Sequence, residues 1–187
     1  MNSATAPEQV DRLTVADYLN TPDGPPWFQL VEGRLLSEPS PTADHQTIVR
    51  ELILAIGTHL QRFPLGTLFC GPLDVYLDDT NVFQPDLMVI MNGRREIITK
   101  QGIRGAPDFV IEVLSASNHR LDRGSKRRRY AAAGVRELWL VDPVAQSVET
   151  VLFAHRSELP AQIWHRDDSL ASALFPGLSI PVNQLFA

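Results

Sequence analysis

Short apolar runs alternate with charged and turn-forming stretches along the chain, and the spacing of the apolar positions predicts its elements. "TVADYLN" (14–20) reads as a short helix, which the prolines and glycine of "TPDGPP" (21–26) break. "WFQLVEGRLLSEP" (27–39) reads as two short strands joined at Glu32-Gly33, a two-residue hairpin turn where glycine supplies a positive φ. "PSPTADHQ" (39–46) is a turn-rich entry to a helix, with Thr42 or Asp44 as its N-cap. That helix covers about 45–62, where Ile48, Leu52, Ile56 and Leu60 recur at helical spacing, so one face should be buried.

"TLFCGPLDVYLDD" (67–79) and "VFQPDLMVIM" (82–91) then predict an antiparallel pair of strands turning at Asp78–Asn81, and "DFVIEVLS" (108–115) predicts a further strand. A second helix is expected over about 122–133, ending with Gly134 at C′. "ELWLVDP" is a buried strand stopped by Pro143, and the tail adds "SVETVLFA", "AQIWHR" and "SALFPGLSIPVNQLF". Helices alternating with mixed strands, wrapped by extra hairpins, make a layered α/β or α+β domain. There is no internal repeat and no low-complexity tract.

Composition narrows this only a little. The 187 residues suit one domain with a continuous core, 1–187. Seventeen basic against 22 acidic residues leave a net charge of -5, so any contact with a polyanion must be local. No apolar run approaches the roughly 18 residues of a membrane span, and "MNSATAPEQVDRLT" lacks the basic start and apolar core of a signal peptide. A cytoplasmic protein without membrane contact is expected. The single cysteine, Cys70, excludes an internal disulfide and reads as core filling.

One position conflicts with its surroundings. In "DFVIEVL" five of seven residues are apolar, yet Glu112 sits among them, and a buried carboxylate needs compensation. "QPDLMVI" places Asp86 at the mouth of a neighbouring candidate strand. Adjacent strands lie about 4.8 Å apart, so two carboxylates on one face can share a cation, at roughly 2.0–2.1 Å per oxygen for magnesium. Such a cation polarises a phosphoryl oxygen and acidifies a bound water.

Pro85-Asp86 followed by a carboxylate in an apolar strand resembles the PD-(D/E)XK nuclease signature, but Leu114 stands where that superfamily has a lysine. The wider pattern of "FQLVEGRLL", "PSPTADHQ", "FQPDLMVI", "DFVIEVLSAS", "SKRRRYAAAGVRELWLVDP" and "SALFPGLSI" resembles the Uma-two family of restriction-endonuclease-like proteins from about residue 13 to the C-terminus. The resemblance implies a restriction-endonuclease-like fold, a central mixed β-sheet flanked by helices with added N-terminal and C-terminal hairpins. It implies Asp86 and Glu112 as metal ligands, Mg²⁺ or alternatively Mn²⁺ as cofactor, and Lys126, displaced to the following helix, as the water-activating or charge-stabilising group. It also implies a nucleic-acid substrate, DNA before RNA, and a homodimer. Where the family's hairpin usually carries a glutamate, this chain has Gln29, with Glu32 close by.

Each of these residues also has a plainer reading. Asp86 after a proline is an ordinary turn residue, and Glu112 could pair with an arginine. Lys126 has Asp122 four residues before it, a helix pair worth about 0.2–0.5 kcal/mol. Glu32 and His45 stand as supporting candidates, Glu32 otherwise a turn residue and His45 a capping or exposed one. His59, His119, His155 and His165 show no ligand spacing, and Trp139 is a core residue. In "RGSKRRRY" the basic residues fan around the helix, so a solvated face competes with a local phosphate contact. Two functions therefore stand: a metal-dependent endonuclease, and a nuclease-fold binding or regulatory protein that has lost the chemistry.

Overall fold

The computed structural model of the chain describes residues 12–22, 24, 27–115, 119–154, 157–158 and 161–187. The polar lead, part of the 21–26 breaker and the end of "DFVIEVLSAS" lie outside the described residues. The short helix α1 (Val15–Tyr18) opens with a capping box between Thr14 and Asp17. Strands β1 (Phe28–Val31) and β2 (Arg34–Ser37) turn at Glu32-Gly33 with φ of 51° and 76°, the paired positive values of a type I′ hairpin. Helix α2 (Ala43–Arg62) is capped by Thr42, whose hydroxyl accepts from the His45 N–H.

The expected two-strand hairpin at 67–91 is a longer ribbon that changes sheets. Its outer arms, β3 (Gly66–Cys70) and β6 (Leu87–Met91), pair in the main sheet. Its inner arms, β4 (Val75–Asp78) and β5 (Asn81–Phe83), pair in a second sheet. Both strands break where proline removes a ladder donor, at Pro72 and at Pro85. The corner is tight: the Gly71 N–H donates to the Asp86 carbonyl at 2.9 Å, and a Cβ on Gly71 would meet the Pro85 carbonyl at 2.9 Å. Cys70, expected inside, is exposed, because it ends an edge strand just before this corner.

A two-residue strand, β7 (Ile103–Arg104), runs parallel to β4, and β8 (Phe109–Val113) pairs antiparallel with β6. The second predicted helix starts earlier than the pattern suggested and is not uniform. It comprises a turn α3 (His119–Leu121), a wider π-turn at Asp122–Lys126 and then α4 (Arg127–Ala133), closed by Gly134 at φ 100°. Next come β9 (Glu137–Asp142), parallel to β8, then β10 (Ser147–Ala154), β11 (Ser157–Glu158) and β12 (Gln162–Trp164). The tail forms a hairpin, β13 (Ser169–Ala171) with β14 (Ser179–Pro181), and a closing 3-10 turn at Val182–Phe186.

The main sheet runs β11-β10-β9-β8-β6-β3 and is mixed; the second runs β2-β1-β5-β4-β7. Along β8 and β9 the side chains alternate between two cores. Phe109, Ile111, Val113, Trp139 and Val141 pack with α2 and the tail, whereas Val110, Leu138 and Leu140 pack with α4 and the second sheet. Trp139 is thus a core residue as expected, fully buried against Phe109. Glu112 has the parity of Val110, so it points toward α4. Among the described residues no helix is long and apolar enough to cross a membrane.

Candidate active site

Glu112, only 4% exposed, meets a cation from the helix above it. Lys126 is 2% exposed and its Nζ lies 3.1 Å from Glu112 Oε1 and 3.2 Å from Asp122 Oδ1. The Tyr130 hydroxyl donates to the same Glu112 oxygen at 2.6 Å. Asp122, Lys126 and Tyr130 recur every four residues, so all three face the sheet together. Burial pushes the Glu112 carboxyl up and the charges of Asp122 and Asp86 add to this, while the Lys126 ammonium and the Tyr130 hydroxyl pull it back toward the charged form. Burial alone would lower Lys126, but Glu112, Asp122 and Glu38 outweigh it and hold the amine well above its ordinary value.

Asp86 stands at the ribbon corner, where Oδ2 accepts the Val113 N–H at 2.7 Å. That bond ties the mouth of β6 to the residue after Glu112. Asp86 Oδ1 lies 3.3 Å from His45 Nε2, in the first turn of α2. The His45 side chain is 14% exposed rather than open to solvent, and its Nδ1 is buried without a hydrogen bond. Burial lowers His45, but the hydrogen bond and charge of Asp86 more than reverse this, so the imidazole sits above 6.5.

The other candidates go elsewhere. Glu32 pairs with Arg129 at 3.0 Å, and no hydrogen bond among the described residues joins it to Asp86, Glu112 or Lys126. Arg127 pairs with Glu149 at 2.6 Å, Arg123 pairs with Glu149 and with Asp142, and Arg128 donates to Ser125. Most of the basic run is thus neutralised within the fold. Gln29 donates to Glu38 at 2.5 Å and accepts the Gln84 N–H, placing a further acid whose charge reaches Lys126.

A sequence profile described as "Putative restriction endonuclease", Uma2, matches residues 15–183. The chain belongs to the Uma2 family. Among solved structures, the crystal structure at 1.96 Å of a protein from Anabaena variabilis ATCC 29413, described as a putative nuclease belonging to DUF820, superposes with a TM-score of 0.79. The two share 21% identity over 93% of this chain and 97% of the other, which establishes that they share one mixed α+β fold. A search of curated proteins finds no significant match.

In this Uma2 chain the fold therefore forms two pairs, Lys126 on Glu112 and His45 on Asp86, linked through the Val113 N–H that follows Glu112, and leaves Glu32 out of both. Sequence reading missed Tyr130 and treated Asp122 only as a helix partner; the four-residue spacing from Lys126 was the signal for both. Leu114, in the usual lysine position, is 4% exposed and packs in the core shared with Tyr130. Among the described residues no three His, Cys, Asp or Glu side chains are grouped to cage a metal. The two oxygen donors Asp86 and Glu112 suit a hard cation that keeps several waters, as magnesium does.

Proposed function

We propose that this chain is a metal-dependent nuclease that hydrolyses phosphodiester bonds in nucleic acid, DNA before RNA. The observation that carries this reading is the Lys126 ammonium held on Glu112, a carboxylate linked through Val113 to Asp86. Asp86 and Glu112 would hold Mg²⁺ or Mn²⁺. A bound divalent ion polarises a phosphoryl oxygen and acidifies its water. Tyr130 and Lys126 fix Glu112 Oε1, and His45 and the Val113 N–H fix the two Asp86 oxygens, so the carboxylates stay oriented without substrate. Lys126 supplies positive charge where negative charge develops on the phosphorus oxygens.

The test is magnesium- or manganese-dependent cleavage of several DNA and RNA substrates by wild type, Asp86→Asn and Lys126→Met. Each variant should lose about 10²–10³ in rate, the usual cost of one electrostatic stabiliser, and chelator should abolish cleavage. Full cleavage by both variants would overturn the assignment. A second reading, a binding or regulatory protein on the same fold, is favoured by one observation: Lys126 is already engaged by two carboxylates. Calorimetry with magnesium separates the two, since wild-type binding lost in Glu112→Ala fits only the nuclease. A homodimer belongs to the same proposal on the family resemblance alone, and sedimentation as a monomer at micromolar concentration would defeat it.

A further inference from the structure

A cleft of about 410 Å³ opens beside the ribbon corner, lined by Tyr18, Trp27, Phe28, Asp74, Tyr76 and Gln84 among others. Its size falls within the range of small-molecule sites, about 300–1,000 Å³. Asp74 forms part of its wall, and three donors hold that carboxylate. The Tyr18 hydroxyl lies 2.8 Å from Oδ1, the Gln84 amide nitrogen 2.8 Å from the same oxygen, and the Tyr76 hydroxyl 3.0 Å from Oδ2. Burial and the charge of Asp74 push the Tyr76 phenol up to about 12, so it remains a donor. A carboxylate accepts about four hydrogen bonds, which leaves Oδ2 with room for one more donor.

Trp27 stands at the rim with 45% of its surface exposed, a flat apolar face with a fixed acceptor nearby. We propose that this cleft holds one base of the substrate strand, stacked on Trp27 and donating an exocyclic amino group to Asp74. The proposal rests on the nuclease reading and adds a determinant of base preference to it. Gln84 precedes Asp86 by two residues, so their Cα atoms are at most about 7 Å apart. A strand whose phosphate lies at Asp86 therefore has a neighbouring nucleotide within reach. Adenine, cytosine and guanine carry an exocyclic amino donor; thymine has none, and the carbonyl oxygens on both sides of its ring N3–H are repelled by the Asp74 carboxylate.

The experiment uses the full chain in chelator, so that binding is read without cleavage, and short labelled homopolymers of deoxyadenosine, deoxycytidine and thymidine. Stacking on one aromatic contributes about 1–3 kcal/mol per base, about 5- to 150-fold in affinity. Wild type should bind the adenine and cytosine polymers more tightly than the thymine polymer, with quenching of tryptophan fluorescence. Trp27→Leu should lose the quenching and at least about fivefold in affinity. Asp74→Asn, which presents donor and acceptor alike, should level the preference between adenine and thymine. Equal binding of all three polymers by wild type, or unchanged affinity in Trp27→Leu, would overturn the proposal while leaving the nuclease reading intact. Failure of wild type to bind or cleave any nucleic acid would overturn both.

Discussion

At Lys126 one ammonium serves two buried carboxylates, Glu112 and Asp122. Removing the cation strands both, so Lys126→Met should cost about 3–5 kcal/mol in urea denaturation, quite apart from activity. Tyr130→Phe keeps the ring against Phe83 and removes only the donor to Glu112, so about 1–3 kcal/mol is expected. His45 gives a pH-dependent test. Its folded value lies above the ordinary 6.5, so its pairing with Asp86 contributes fully below 6.5 and fades as pH rises through the raised value. NMR titration of the ring should show a midpoint above 6.5 that falls in Asp86→Asn, because burial, the largest influence, then acts with less opposition. A buried carboxylate in an apolar strand was legible as an anomaly in the sequence. Its partners were only half legible: Lys126 came from family resemblance, and the Tyr130 hydroxyl is hidden in a residue that reads as core.

At the scale of elements, the helix caps and the Glu32-Gly33 turn were readable because each rests on local chemistry between residues a few positions apart. The sheet change at 67–91 was not, although Pro72 and Pro85 marked both breaks, because the destination of a strand depends on long-range pairing. Glycines in the same region test how tightly the second sheet is built. Gly102 has a φ of 143°, and a Cβ there would stand 2.4 Å from the Asp74 carbonyl, which accepts the Ile103 N–H. Gly102→Ala should therefore cost about 1–3 kcal/mol from backbone conformation alone and loosen β7 from β4. Gly93→Ala is the control: open space surrounds its Cβ position, and a change within about 0.5 kcal/mol is expected. Chemical denaturation of the two variants side by side provides the comparison.

At the scale of the whole molecule, the tail joins the main core. Leu170, Phe175, Ile180, Val182 and Leu185 pack with α2 and the main sheet, so its apolar pattern serves the chain's own interior. Arg123 and Arg127 of the basic run likewise turn to Glu149 and Asp142, which composition alone could not foretell. The alternation along β8 has a consequence for how faithfully the chain finds its fold. Glu112 stands opposite Leu140, and a slip of one residue would swing its charge into the apolar layer beneath α2, away from any ammonium. The ionic cluster thereby acts as a proofreader against the misaligned ladder. Replacing Glu112, Asp122 and Lys126 together with leucine or methionine should remove that penalty, giving a compact protein with a second set of amide resonances across residues 109–113.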